Sequence, residues 1–172
     1  MRLMNLSQSA LAAGVTLFSI GTLFHFAVPF LVPALATAYI DHSALFRIWP
    51  GWTRSYMLCH PFVYGFVFAC GFHAFHAMKK ESIHVGTMAG ALYGVLVFAI
   101  GSLPVYSLNY GSLRLPGIVI TSWVVQSLLQ YTAAGTVLGC MTDRVLAIGR
   151  ARSAVEVSGS RSDNTCFHGP EF

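Results

Sequence analysis

Charged residues are scarce in this sequence. Only 9% of the 172 residues are Asp, Glu, Lys or Arg, whereas a soluble domain carries roughly 25%. The ten basic and six acidic residues give a net charge of +4, but they are scattered between long apolar stretches and form no patch. This distribution excludes an ordinary soluble globule and gives no indication of nucleic-acid binding.

Long stretches of the chain contain no charged residue at all. They are residues 3–40, 55–78, 82–113 and 115–142. Each exceeds the ~20 residues that a helix needs to cross the hydrocarbon layer, and none alternates in polarity as a transmembrane β-strand does. The sequence therefore predicts an all-α integral membrane protein with four transmembrane helices in an up-down bundle. The predicted spans are about residues 8–30, 57–78, 84–107 and 117–141.

The same pattern divides the chain into two parts. Residues 1–142 form the predicted transmembrane domain, in which residues 41–56 carry bulky apolar side chains suited to the outer interface. Residues 143–172 are polar and cannot bury enough apolar surface to fold alone, so we expect a flexible cytoplasmic tail. Pro29 and Pro33 remove backbone donors, so the first helix is expected to kink or stop there.

Basic residues in the short loops predict the orientation. Seven lie on the side of the two termini, namely Arg2, Lys79, Lys80, Arg144, Arg150, Arg152 and Arg161, and three lie on the other side, namely Arg47, Arg54 and Arg114. By the positive-inside rule, both termini are cytoplasmic in a multi-pass protein of the bacterial inner membrane. The first apolar run is longer than the core of a secretory signal, so we expect residues 1–36 to be retained.

Small residues predict how the helices pack. Gly86, Gly90 and Gly94 lie four residues apart in the third span, and Gly135 and Gly139 have the same spacing in the fourth. This spacing places each set on one helix face, where another backbone can approach closely. We therefore expect a glycine zipper between the third and fourth helices. The alternative is that these faces join two copies of the chain.

Two glutamines and a proline interrupt the apolar spans. Gln126 and Gln130 lie four residues apart near the middle of the fourth span and share one face. Hydrogen bonding between helices is the interpretation we favour, and lining a polar path for a solute is the alternative. Pro104 removes a backbone hydrogen bond in the third span and is expected to bend that helix.

The spans lack the residues on which membrane catalysis and coupled transport depend. No carboxylate, Lys or Arg lies inside them, which argues against ion-coupled transport and metal-dependent lipid chemistry. The four cysteines form no CxxC pair, and the chain contains no GxSxG, HExxH or phosphate-binding glycine motif. We therefore predict no catalytic residue and favour a protein that is not an enzyme.

The histidines are the residues that could bind a cofactor. His25 and His60 are both expected near the outer side, where imidazoles on facing helices could ligate a b-type haem. His73, His76 and His84 cluster toward the inner side and could hold a metal ion. The interpretation we favour is that these are interfacial or hydrogen-bonded side chains. No cofactor is therefore predicted, and haem b is the alternative.

Several short motifs are typical of one group of proteins. They are Gly21 to Pro29 (GTLFHFAVP), Gly101-Ser102-Leu103-Pro104, Tyr110-Gly111-Ser112 with Pro116, and Trp123, Gln126 and Gln130 leading to Gly135 and Gly139. In these motifs the chain resembles small uncharacterised bacterial inner-membrane proteins with four helices. The resemblance covers most of residues 10–142 and implies a fold but no activity.

The sequence favours a non-enzymatic accessory or interaction subunit of a larger membrane complex. Its expected partners are the lipid bilayer and another membrane protein or a second copy of the chain, because the glycine faces and the outer aromatic residues suit packing. Two alternatives stay open. One is a small redox protein that binds haem or a metal through its histidines, and the other is a small-solute channel or transporter lined by Gln126 and Gln130.

Overall fold

The structure is a computed structural model, and it describes residues 3–42, 51–78 and 86–163. Every regular element within these ranges is helical. In chain order they are α1 (Leu3–Leu31), α2 (Pro33–Asp41), α3 (Gly51–Met78), α4 (Thr87–Val97), a π-helical turn (Phe98–Ser102), α5 (Leu103–Ser112) and α6 (Gly117–Asp163).

Three helical segments of the described chain are long and apolar enough to cross a membrane. They are Leu6–Leu31, Leu58–Phe75 and Thr87–Ser112, and they correspond to the first three predicted spans. Large apolar side chains on their outer surfaces are exposed, with Phe30 at 85% and Met88 at 83%. Exposure on this scale suits contact with lipid chains better than contact with water. The fourth predicted span lies within α6 and is not among the three.

Proline accounts for the break between the first two helices. Pro29 lies in the last turns of α1, and Pro33 occupies the first position of α2. Pro33 has no N–H to continue the hydrogen-bond ladder, and it suits a helix start because its φ is already fixed. Val32 between the two helices has φ −130° and ψ 80°. The predicted stop near these prolines is therefore confirmed.

The third predicted span is helical throughout, but a π-helical turn interrupts its α-helix. α4 passes into the π-helical turn Phe98–Ser102, and Pro104 lies at the beginning of α5 directly after it. A π-helical turn changes the bonding pattern from i→i−4 to i→i−5, and freed backbone groups in a membrane helix can be satisfied by such local adjustment. The three elements therefore form one continuous segment with a change of pitch before the proline.

Two boundaries differ from the predicted spans. Residues 51–56 belong to the first turns of α3, whereas residues 43–50 of the predicted interfacial segment lie outside the described residues. α6 continues to Asp163, so the tail predicted as flexible from residue 143 is helical that far. No proline occurs between Gly117 and Asp163 to stop the helix. Residues 164–172 of the predicted tail lie outside the described part.

The long helices pack side by side in alternating directions. α1 packs against α3 and α6, and α4 packs against α6, whereas α3 and α5 do not approach each other closely. The direction follows from the contacts, because Gly90 meets Gly135 while Gly94, further along α4, meets Tyr131, which lies earlier in α6. α4 and α6 are therefore antiparallel.

One half of the molecule contains the apolar core. We call this part of the molecule the packed half. The buried members of the core are Ala10, Ala13, Leu17, Phe68, Ala69, Phe72, Tyr93, Ala134 and Leu138. The Tyr93 ring lies 4.9 Å from that of Phe68 and 5.4 Å from that of Phe72. Its hydroxyl donates a hydrogen bond of 3.1 Å to the Phe68 carbonyl oxygen. This side chain fills the space between α4 and α3.

Candidate ligand-binding cavity

Glycines bring the backbones of α4 and α6 into direct contact. A Cβ atom on Gly90 would overlap the carbonyl oxygen of Gly135, and one on Gly94 would overlap that of Tyr131. A Cβ atom on Gly139 would lie 2.6 Å from the carbonyl oxygen of Gly86. All five glycines named from the sequence thus lie at this one interface. These five glycines therefore already pack two helices of the same chain together.

A second glycine contact joins α1 to α3, and the sequence analysis did not single it out. A Cβ atom on Gly65 would lie 2.6 Å from the Cα atom of Gly14 and 2.8 Å from the carbonyl oxygen of Ala10. Each helix carries only a pair of small residues here, Ala10 with Gly14 and Gly65 with Ala69. Small residues four apart are the relevant signal, whether or not both are glycine.

Gln126 and Gln130 both lie against α1, but their hydrogen bonding differs. Gln130 donates a hydrogen bond of 2.7 Å from Nε2 to the Leu17 carbonyl oxygen. A Cβ atom on Gly21 would lie 2.5 Å from Nε2 of Gln130 and 3.5 Å from Nε2 of Gln126, so Gly21 makes room for both amides. Gln126 forms no side-chain hydrogen bond with any residue that the structure describes.

A large cavity lies beside the apolar core, in the part of the molecule that we call the cavity half, and Leu17, Phe68 and Tyr93 belong to both the core and the cavity wall. The volume of the cavity is about 1270 Å³, and its walls come from α1, α3, α4, the π-helical turn, α5 and α6. Aromatic side chains supply much of the wall, namely Phe18, Phe26, Tyr64, Phe68, Tyr93, Tyr106, Trp123 and Tyr131. The polar members are Thr22, His25, His60, Ser102, Gln126, Ser127 and Gln130. None of the described residues that line the cavity is Asp, Glu, Lys or Arg.

Several polar groups of the wall are already paired with each other. The hydroxyls of Tyr106 and Ser127 lie 2.5 Å apart and connect α5 to α6. Trp123 donates a hydrogen bond of 2.6 Å from Nε1 to the hydroxyl of Tyr39 and connects α6 to α2. These pairs hold the walls in place and leave the Gln126 amide for other partners.

The cavity is only partly enclosed. Both α3 and α5 contribute to its wall, and these two helices do not pack closely against each other. The π-helical turn contributes Gly101 and Ser102 to the wall, and a Cβ atom on Gly101 would meet nothing within 4 Å. π-helical turns are frequent at functional sites.

The two histidines considered as haem ligands both line this cavity. The His60 ring lies between aromatic neighbours on α3, 4.4 Å from the Tyr64 ring and 6.0 Å from the Tyr56 ring. His25 is exposed, and its ring lies 5.4 Å from that of Phe26. The structure therefore brings both candidate ligands to one site.

The three histidines considered for a metal site are only partly described. His73 lies in α3 with its ring 6.1 Å from that of Phe72. The side chain of His76 and the whole of His84 lie outside the described residues. Within the described residues there is no group of three His, Cys, Asp or Glu that could hold a metal ion.

Neither a family model, nor a curated protein, nor a solved structure matches this chain. The resemblance to small four-helix bacterial membrane proteins stays a prediction, and the cavity is the feature from which function is inferred.

Proposed function

We propose that this protein is a four-span integral membrane protein that works by binding a lipid-soluble molecule in its cavity half, without catalysis. The fourth span is residues 117–141 of α6, which lack charge and pack tightly against the α4 glycines. An even number of spans places both termini on one side. The distribution of loop Lys and Arg favours the cytoplasmic side of a bacterial inner membrane.

The cavity is the observation that carries this proposal. Its volume of about 1270 Å³ exceeds the roughly 300–1,000 Å³ of most small-molecule sites, so it has room for a large ligand. Such sites combine apolar and aromatic walls with a few polar groups that orient the ligand. The walls here have that composition, and they suit a molecule with a large apolar body and a small polar group.

Entry from the bilayer between α3 and α5 is part of this proposal. The residues of both helices that line the cavity lie within the membrane-compatible segments Leu58–Phe75 and Thr87–Ser112. A lipid-soluble molecule that enters between these segments does not leave the hydrocarbon phase. The walls offer no carboxylate, lysine or cysteine among the described residues, so binding is the activity that they support.

Filling the cavity from Gly101 tests the proposal. A phenylalanine at this position has open space at its Cβ atom and lies in the cavity wall, so Gly101→Phe should obstruct the cavity without forcing helices apart. Gly111→Phe is the matched control, because Gly111 also has nothing within 4 Å of a Cβ atom and does not line the cavity.

The measurement is mass spectrometry of organic-soluble molecules that co-purify in mild detergent. We expect the wild type and Gly111→Phe to retain one such molecule in near-stoichiometric amount, and Gly101→Phe to lose most of it. Equal retention by both variants, or no stoichiometric molecule in the wild type, would reject a binding role for the cavity.

A haem-binding redox protein is the second candidate, because His25 and His60 line the same cavity. Paired imidazoles within a helical bundle can serve as axial ligands to a b-type haem. A reduced-minus-oxidised absorption spectrum of the purified protein should then show a Soret shift that both His25→Ala and His60→Ala abolish. A flat wild-type spectrum would remove this candidate.

The accessory-subunit role expected from the sequence stays a prediction. Its test is gentle extraction from the native membrane, which should bring down a stoichiometric partner protein. Solute transport along Gln126 and Gln130 also stays a prediction, and unaltered flux in liposomes after Gln126→Leu with Gln130→Leu would remove these residues from any path.

A further inference from the structure

We infer that the cavity selects a neutral ligand with a planar conjugated ring and a carbonyl oxygen, a quinone-type molecule, and that Gln126 recognises the carbonyl. This inference rests on the proposed function, because it requires a lipid-soluble ligand in the cavity half. It adds the chemical class of that ligand and the residue that distinguishes it.

The described cavity wall carries no charged side chain, and this favours a neutral ligand. None of the described lining residues is Asp, Glu, Lys or Arg. Moving an ionised group from water into apolar surroundings costs far more than moving a neutral one unless a countercharge accompanies it. Phosphate headgroups and fatty-acid carboxylates are therefore poor ligands for this wall, whereas neutral polar groups fit it.

Aromatic side chains from three helices favour a flat ring. Tyr64 lines the cavity from α3, Tyr106 from α5 and Trp123 from α6. Aromatic rings gain from offset-stacked and edge-to-face contacts with other rings beyond what apolar burial supplies. The hydrogen bonds of Tyr106 to Ser127 and of Trp123 to Tyr39 hold two of these rings in place, so they can receive a ligand with little reordering.

Gln126 offers the ligand a hydrogen-bond donor. Its amide lies in the cavity wall, and the NH₂ of that amide has no bond to another described residue. A carbonyl oxygen accepts from such an NH₂ and donates to none. A carbonyl on the ligand therefore gives the Gln126 NH₂ a partner that the described wall does not supply.

Gln126 and Gln130 provide an internal contrast. Both amides lie against Gly21, but Gln130 is already bonded to the Leu17 carbonyl oxygen. Loss of the Gln130 amide should therefore weaken the contact between α1 and α6, whereas loss of the Gln126 amide should change ligand selection. Methionine replaces either side chain with similar length and no strong hydrogen-bonding group.

The experiment uses Trp123 as the reporter. The chain has three tryptophans, and Trp49→Phe with Trp52→Phe leaves Trp123 in the cavity wall. The full chain in phosphatidylcholine nanodiscs is titrated with decylubiquinone, which quenches tryptophan. Decylbenzene and dodecanoate are the competitors, the first with a ring but no carbonyl and the second with a charge. Quenching that persists in Gly101→Phe measures partition into the bilayer and is subtracted.

We expect saturable quenching by decylubiquinone, at least tenfold weaker competition by decylbenzene, and no competition by dodecanoate. Gln126→Met should weaken decylubiquinone binding about five- to tenfold, in the range of one lost hydrogen bond, and leave decylbenzene unchanged. Gln130→Met should lower the unfolding temperature, and Gly111→Phe, outside the cavity wall, should keep the ratio between the two ring compounds.

Each contrary outcome overturns a different statement. Equal binding of decylubiquinone and decylbenzene, or an unchanged ratio in Gln126→Met, overturns carbonyl recognition while the cavity remains a binding site. Tighter binding of dodecanoate than of decylubiquinone overturns the inference that the ligand is neutral, and the cavity again remains a binding site. If none of the three compounds binds saturably and no molecule co-purifies with the chain, the proposed function itself fails.

Discussion

The two halves of the molecule are built from the same helices and differ in what those helices place at their contacts. In the packed half, glycines let α4 touch α6 and α1 touch α3 through their backbones, and Phe72 and Leu138 are 1% exposed. In the cavity half, large aromatic side chains face an open space of about 1270 Å³. Tight backbone contact at one end thus secures helices that stay apart at the other.

The difference shows how a helical membrane protein can keep a cavity without collapsing. Lipid chains are as apolar as leucine, so burial alone gives helices little reason to associate. Close van der Waals contact and interhelical hydrogen bonds supply the stability instead. The glycine contacts of the packed half supply close backbone packing, and interhelical hydrogen bonds occur in both halves, as Tyr93 to Phe68 and Tyr106 to Ser127 show.

The largest expected effect comes from separating α4 and α6. Gly90→Leu places a side chain where the Gly135 carbonyl oxygen lies, and backbone cannot move aside as a flexible side chain can. We expect a loss of about 3 kcal/mol or more in the free energy of unfolding, measured by circular dichroism during thermal unfolding in detergent. Gly111→Leu, which meets nothing within 4 Å of its Cβ atom, should change stability by under ~1 kcal/mol. A tolerated Gly90→Leu would contradict the backbone contact.

Removing an aromatic ring from each half compares them directly. Phe72 is 1% exposed in the packed half, whereas Phe26 is 64% exposed in the cavity half. Phe72→Ala should cost about 3 kcal/mol through lost contacts and the void left behind, and Phe26→Ala should cost under ~1 kcal/mol. The same unfolding assay applies, and similar costs for the two variants would show that the halves are packed alike.

Cutting the polar link between α1 and α6 should have a smaller effect. Gln130→Met loses the bond of 2.7 Å to the Leu17 carbonyl oxygen, and interhelical hydrogen bonds in membranes contribute about 0.6–1.7 kcal/mol. Gln126→Met serves as the control, since no described residue bonds to its amide. If Gln126→Met lowered the free energy of unfolding more than Gln130→Met, the assignment of a structural role to Gln130 and a ligand-binding role to Gln126 would be incorrect.

The smallest effect is expected at the end of the packed half. Asp143 of α6 accepts a hydrogen bond of 3.3 Å from the Thr87 backbone N–H in the first turn of α4. A carboxylate near a helix N-terminus stabilises the helix, typically by about 0.5 kcal/mol when exposed. Asp143→Ala should lower stability by that amount, and the loss should shrink at high salt because the contact is exposed. A salt-independent loss would point to packing instead.

Patterns that depend on one helix at a time were predictable from the sequence. The lack of charge and the length of the apolar runs indicated membrane-compatible helices, and three are confirmed. Pro29 and Pro33 indicated a kink or stop near the end of the first helix, since each removes a backbone donor, and α1 ends at Leu31. Bonding and sterics within one segment determine such features, so local sequence suffices.

Features that depend on two or more helices were harder to predict. The contact of Gly14 with Gly65 joins two helices that each carry only a pair of small residues four apart at this contact, and such a pair does not identify the helix against which it packs. The cavity is formed by side chains from distant parts of the chain, such as His25, His60 and Gln126. Each of these was noticed from the sequence, but their common location depends on the helix packing. The π-helical turn likewise has no signal beyond the nearby Pro104.

The length of α6 joins distant parts of the molecule in one element. The helix continues without a break from the wall of the cavity, through the contact with α4, to Asp163. The part beyond residue 141 adds roughly 33 Å of contour at ~1.5 Å per residue, about the thickness of the hydrocarbon layer. Gly135 and Gly139, which meet α4, lie between this extension and the cavity residues Trp123 and Gln126.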